Sequence, residues 1–371
     1  MRLLAVFGTR PEAIKMAPVL RRLAAVPGLT PLVCVTGQHR QMLDQVLELF
    51  AIRPDYDLDL MRAGQGLTYV TTAVLERLAE VLEQARPDRI LVQGDTTTTF
   101  AAALAAFYAG VPVGHVEAGL RTGNVQAPWP EEMNRRLTTT IADLHFPPTA
   151  AARANLLAEG VDAARITVTG NTVIDALLEA VALLDADPAR RAAIVAALPK
   201  LDPGKRLILV TGHRRENFSG GLERVARGLR QLADRGDVEV VYPVHLNPKV
   251  QQAAHAVLGG HPAIHLIAPL DYLPFVQLMR QSYLIVTDSG GVQEEAPSLG
   301  KPVLVTRDTT ERPEAVAAGT VRLVGTDTGA LVEQANRLLD DPAAYAAMSF
   351  AHNPYGDGRA AARIVEVLAG G

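Results

Sequence analysis

The sequence has one cysteine, one tryptophan and only 5% aromatic residues. A lone cysteine excludes an intramolecular disulfide framework, and Cys34 lies in an apolar run, so it reads as a buried structural thiol. Excess charge is lacking too. The 36 Lys and Arg against 40 Asp and Glu leave a net charge of −4, with no basic footprint for a nucleic acid. The first apolar stretch, Leu3–Phe7, ends at Gly8 and is too short for a signal-peptide core or a membrane span. These features predict a cytoplasmic protein with no membrane insertion. Zinc-ligand spacing, a Walker-type lysine loop, a G-x-S-x-G elbow and a G-x-G-x-x-G fingerprint are all missing. A metallohydrolase, a P-loop enzyme, a serine hydrolase and an ordinary dinucleotide dehydrogenase are disfavoured accordingly. No internal repeat or low-complexity tract breaks the chain.

What is present is alternation. Eleven short apolar runs, from Leu3–Phe7 to Val321–Val324 and including Ile166–Thr169 and Tyr283–Thr287, alternate with longer amphipathic ones. This β-α alternation predicts an α/β protein of parallel sheets with right-handed crossovers. So many strands exceed one compact open sheet of this kind, and 371 residues suit two domains. The expected boundary follows Gly170: residues 1–170 with a returning C-terminal helix at 354–371, and residues 171–353. The Ala- and Pro-rich segment Asp185–Pro203 reads as a connector.

Polar residues crowd just past the strand ends. Gly8-Thr9-Arg10-Pro11-Glu12, Gln93-Gly94-Asp95-Thr96 and His115-Val116-Glu117-Ala118-Gly119 lie in the first half. Thr211-Gly212-His213-Arg214, Pro243-Val244-His245 and Asp288-Ser289-Gly290-Gly291 lie in the second. In open parallel sheets ligands bind outside the carboxyl ends of the strands, so both halves are expected to present an edge to one ligand. The stretch Tyr283–Val305 reads as strand, Gly-rich turn and helix from Val292 to Leu299, a place where backbone N–H groups face an anion. Glu294 and Glu295 are then expected in the first helical turn, and Ser289 is either an N-cap or a ligand contact. Arg10 precedes a helix-starting proline and suits a phosphate clamp or a surface cation; Lys15 follows one turn on. Asp95 is either an N-cap or an acid/base group. Glu117 sits at a strand end in an apolar setting, and Glu131 opens a helix with Asn134 and Arg135 on its face. His213, next to two arginines, suits stabilisation of a departing phosphate, as does Arg312.

The motifs GTRPEAIKMAPV, TGQHRQML, QGDTTTT, HVEAGLRTG, PEEMNRR, TGNTVIDA, TGHRREN, PVHLNP and DSGGVQEEAPSLGKPVLVTRDTTERPEA occur in this order. Together they resemble the bacterial, non-hydrolysing UDP-N-acetylglucosamine 2-epimerases. The resemblance implies two Rossmann-like domains facing each other across a cleft (a GT-B-like architecture), a homodimer, and interconversion of UDP-GlcNAc and UDP-ManNAc without cofactor or metal. It also assigns Asp95, Glu117 and Glu131 as acid/base carboxylates, with His213 beside the leaving diphosphate. Arg10, Lys15, Ser289, Gly290, Gly291 and Arg312 would hold the phosphates, Glu295 the ribose and Phe275 the uracil. Gln38, Gln41, Arg214 and His245 match the lining of a second, regulatory UDP-GlcNAc pocket found in some members, although an arginine of one such pocket is replaced here by Gly64. A glycosyltransferase of the same architecture, a hydrolysing epimerase and a nucleotide-sugar sensor are the competing expectations.

The chemistry explains the need for several acids. The C2 hydrogen of the sugar is not next to a carbonyl, so enolisation is closed. Loss of UDP from C1 with removal of the C2 proton gives a 2-acetamidoglucal, and reprotonation on the other face inverts C2. That route requires proton-transfer groups on both faces of the ring and cations for the departing diphosphate.

Overall fold

In a computed structural model, the described residues are 1–37, 40–60, 62, 64–212, 214 and 220–370, the side chains at 40 and 41 excepted. Leu3 to Phe7 are fully buried, as expected for a strand flanked by pairs on both sides. That strand, β1 (Arg2–Phe7), pairs with β2 (Thr30–Val35) and β4 (Arg89–Gln93). The sheet is completed by β3 (Tyr56–Asp57), β5 (Val113–Val116) and β6 (Leu144–Phe146), all parallel, in the order β3-β2-β1-β4-β5-β6. A second parallel sheet comprises β7 (Arg206–Thr211), β8 (Val238–Pro243), β9 (Ile264–Ile267), β10 (Leu284–Thr287), β11 (Val303–Val305) and β12 (Val321–Leu323). Its order is β12-β11-β10-β7-β8-β9, which is the same winding read from the other edge. Each sheet therefore has one switch point, between β1 and β4 and between β7 and β10, where loops diverge to opposite faces and leave a crevice. The expected α/β fold of two parallel-sheet units is observed.

The chain divides into Met1–Ala176 with Tyr355–Gly371, and Leu177–Pro354. In the first unit, the aliphatic faces of β1, β4 and the helices Leu67–Ala85 and Thr97–Tyr108 build one core. The C-terminal helix Ala360–Ala369 belongs to that unit. Its free N–H groups at Ala360 and Ala361 donate to the Asp175 carboxylate at 3.1 and 2.9 Å, a cap supplied from 185 residues away. A separate core joins β7, β8 and β10 to the helices Gly221–Ala233 and Thr328–Asp340 in the second unit.

Two expectations need correction. Ile166–Thr169 is not a strand; Ile166 makes a single bridge with His145. Thr167 and Thr169 donate to His145 and Pro147 carbonyls at 3.0 and 3.1 Å, but Pro147 has no N–H for the return bond, so no ladder propagates. The edge place is held by β6, three residues that stop at Pro147. Second, the helix after β10 begins at Gly290 and not Val292, so Glu294 and Glu295 lie beyond its first turn. Ser289 supplies the extended N-cap backbone, but its hydroxyl makes no capping bond.

Cys34 is fully buried, and burial pushes its thiol up to about 12, with the Asp57 charge adding to the shift. The native protein is therefore expected to resist iodoacetamide at pH 8 and to be alkylated once unfolded in urea; mass spectrometry showing rapid native labelling would contradict that burial. Among the described residues no helix is long and apolar enough to cross a membrane.

Candidate functional site

At the first switch point the chain leaves β1 at Gly8 and enters the helix Arg10–Ala24, with Thr9 as N-cap and Pro11 in its first turn. Glu12 is buried, and its carboxylate accepts from Gly8 N at 3.0 Å, Thr9 N at 2.8 Å and Thr9 Oγ1 at 2.8 Å. The hydroxyls of Thr96 and Thr99 donate to it at 2.7 and 3.2 Å. This knot ties the loop carrying Arg10 to the loop carrying Asp95. Burial raises the Glu12 carboxyl above its ordinary value, and these hydrogen bonds offset part of that shift.

Thr96, not Asp95, caps the helix Thr97–Tyr108, its hydroxyl accepting from Thr99 N at 3.1 Å. Asp95 is thereby available to Arg135, whose Nε and Nη2 donate to Oδ2 at 3.0 and 2.7 Å. Asn134 donates to the Asp95 carbonyl at 2.9 Å. Both partners come from the helix Glu131–Ile141, so Glu131 stands one turn before the residue that grips Asp95. Glu131 Oε2 is buried with no hydrogen-bond partner among the described residues.

Glu117 follows β5 with φ of +64°, a left-handed backbone that costs a non-glycine residue about 1–3 kcal/mol. Its setting differs from the apolar one expected. Lys15 Nζ donates to Oε1 at 2.5 Å, Asn171 Nδ2 donates to Oε1 at 2.8 Å, and Gln93 Nε2 donates to Oε2. The salt bridge is well shielded, with the Lys15 and Glu117 side chains 12% and 6% exposed. Beside it, His115 Nε2 donates to the Gly94 carbonyl at 2.7 Å and fixes the turn before Asp95.

Burial holds His115 down at about 3 and His145 at about 4, so both rings are neutral at pH 7. Their unfolded counterparts titrate near 6.5. Below that value the unfolded chain binds more protons than the native one, so this contribution to stability is lost as the pH falls from 6.5 toward 4 for His145 and toward 3 for His115. Glu12 and Asp175, both raised by burial, act with the opposite sign. H145N is therefore expected to lose about 2 kcal/mol less stability than the parent between pH 7 and pH 5, measured by urea unfolding. Equal losses would contradict a neutral buried ring.

At the second switch point, Asp288 is buried at the end of β10, and Oδ2 accepts from Arg214 N at 2.8 Å, joining the two diverging loops. The Arg312 guanidinium lies against Gly290: a Cβ there would stand 2.8 Å from its Cζ, so only glycine admits the cation at the helix start. Arg312 Nε donates to Glu294 Oε1 at 2.9 Å, and Glu294 is fully buried. Glu295 takes a different partner, accepting from Tyr272 Oη at 2.8 Å. Phe275, one turn further along the helix Tyr272–Gln281, is half-buried. His245 is exposed, and its Nδ1 accepts from Asn247 N at 3.1 Å.

Thus Arg10, Lys15, Asp95, Glu117 and Glu131 belong to the carboxyl edge of the first sheet and the adjoining helix starts. Ser289, Gly290, Gly291, Glu295, Phe275 and Arg312 belong to the second unit, as do Arg214 and His245. Gln38 and His213 lie outside the described residues, as does the side chain of Gln41. The sequence places Glu12 and Gln93 in polar clusters after the strands without assigning either a role, and it singles out neither Asn171 nor Tyr272. A polar glutamine closing the apolar run Ile90–Val92 is the one signal available for Gln93.

Comparison with known proteins bears on this arrangement. A family model described as UDP-N-acetylglucosamine 2-epimerase matches residues 21–369. A UDP-N-acetylglucosamine 2-epimerase of Escherichia coli K12 is 58% identical over 369 residues, covering 99% of this chain and 98% of that protein. The crystal structure of the Neisseria meningitidis UDP-GlcNAc 2-epimerase bound to UDP-GlcNAc matches with a TM-score of 0.95 and 51% identity, covering 100% of both chains. That of the Methanocaldococcus jannaschii enzyme in complex with UDP-GlcNAc and UDP matches with a TM-score of 0.86 and 33% identity, again over 100% of both. The two-domain, GT-B-like α/β fold expected from the sequence is the fold of these structures.

Proposed function

The chain belongs to the UDP-N-acetylglucosamine 2-epimerase family, and from that premise we propose that it interconverts UDP-GlcNAc and UDP-ManNAc by elimination and re-addition of UDP. A carboxylate takes the C2 proton while the C1–O bond breaks, its electron pair leaving on the β-phosphate. The C2–H pair forms the C1=C2 bond of 2-acetamidoglucal. A carboxylic acid then returns a proton to the opposite face of C2 as a β-phosphate oxygen rejoins C1. One proton leaves and one returns, so no net oxidation occurs. The product supplies ManNAc units for surface polysaccharide.

What carries the reading is the grouping of acids at the first switch point: Glu117 with its cation and amide donors, Asp95 on Arg135, and Glu131 one turn away. These three move protons, and His213 stabilises the leaving diphosphate. Arg10, Lys15, Arg312 and the amides at Ser289, Gly290 and Gly291 hold the phosphates, because a helix start and a cation together favour an anion. Glu295 receives the ribose and Phe275 the uracil. Gln38, Gln41, Arg214 and His245 form the regulatory subsite, and the working enzyme is a homodimer.

Incubation with UDP-GlcNAc in D₂O, followed by proton NMR, is expected to show loss of the H2 signal and growth of UDP-ManNAc. Transfer of the sugar to an acceptor with H2 retained would instead identify a glycosyltransferase, and free ManNAc with UDP a hydrolysing enzyme.

A further inference from the structure

We propose that Gln93 and Asn171 are positioning residues for proton transfer: their amides hold the Glu117 carboxylate at one fixed orientation. The proposal rests on Glu117 being a proton-transfer group, as set out above. Three separate elements converge on this side chain, with Lys15 from the helix Arg10–Ala24, Gln93 from the end of β4 and Asn171 from the start of the helix Thr172–Ala186.

The sense of the Asn171 amide is set by its surroundings. Its Oδ1 accepts from Val173 N at 3.1 Å and its backbone N donates to the Tyr355 carbonyl at 2.7 Å, so Nδ2 is left to donate to Glu117. Gln93 is held at its backbone, pairing in register with Val116, the residue before Glu117. Gly94 N also donates to the Val116 carbonyl at 2.9 Å, locking this corner. Lys15, Gln93 and Asn171 each donate an N–H to this carboxylate, which fixes where its two oxygens stand. The left-handed backbone at Glu117 persists only where its surroundings over-determine it, and these contacts do so.

Asn171→Asp separates this role from simple helix capping. Aspartate still accepts from Val173 N and is as good an N-cap, but it has no N–H for Glu117. With C2-deuterated UDP-GlcNAc as the probe, N171D is expected to lower kcat roughly 10- to 100-fold, as misplaced catalytic groups do. KM should stay within about threefold, and the primary deuterium isotope effect on kcat should rise because C2 proton removal becomes slower. Gln93→Met, which removes the other donor with little change of volume, is expected to act the same way and decides the matter if N171D does not fold by circular dichroism. Activity within twofold of the parent, or a lower kcat with an unchanged isotope effect, overturns the proposal. A parent enzyme that exchanges no deuterium at C2 would instead overturn the functional reading beneath it.

Discussion

Glu117→Gln is expected to lower the rate of C2 exchange by roughly 10²–10⁴-fold, the span that one general acid or base contributes. An amide in that place has no basic lone pair for a C2 proton and turns an NH₂ group toward donors already aimed there. Lys15 would also lose its anionic partner in a site where both side chains are nearly buried. Removing one member of such a pair costs about 3–5 kcal/mol, so the variant should also melt earlier. The second change can be separated from the first. Adding Lys15→Met to the variant should recover stability, while exchange stays low for want of both the Glu117 carboxylate and a phosphate-binding cation. Full recovery of exchange in the double variant would mean that neither Glu117 nor Lys15 acts on the substrate. Assays must be made on folded protein, checked by circular dichroism.

Arg312→Met is expected to produce the largest loss of nucleotide affinity. The guanidinium is held against Gly290 by a fully buried Glu294, which places its charge at the start of the helix Gly290–Ser298. Losing a charge-assisted contact to a diphosphate costs about 2–5 kcal/mol when the group is well desolvated, so UDP affinity should fall roughly 30-fold or more. Stability should fall as well, because Glu294 is left in the interior without this cation. The double variant E294Q/R312M is expected to regain stability and not UDP binding, a separation readable by calorimetry on both samples. Gly290→Ala tests the same contact sterically, because its methyl group would displace the guanidinium. Unchanged UDP affinity in R312M would show that the helix start alone carries the diphosphate.

The fold was largely legible because apolar runs that stop at a glycine mark buried parallel strands with loops at their carboxyl ends. β3 and β6 are not legible because Tyr56-Asp57 and Leu144-His145-Phe146 form no apolar run. The loops at the strand ends could be read, since Arg10, Asp95, Glu117 and Ser289 lie just past strands. Their partners could not. Tyr272 meets Glu295 across 23 positions, Gln93 meets Glu117 across 24, and Asn171 meets it across 54. Such pairings arise from sheet winding, to which local pattern is blind. The two adjacent glutamates illustrate the same limit: a helix beginning two residues earlier than expected sends Glu294 to Arg312 and Glu295 to Tyr272. Glu117 also looked apolar in sequence because its neighbours are, whereas its donors come from elsewhere in the unit.

The proposed elimination is open to direct measurement with UDP-GlcNAc carrying ¹⁸O in the bridge between C1 and the β-phosphorus. If UDP leaves and returns, its β-phosphate can turn before rejoining, and ³¹P NMR should find the label spread into the non-bridging positions of recovered UDP-GlcNAc and of product. A product inverted at C2 with all of its label still in the bridge would contradict the departure and return of a β-phosphate free to turn.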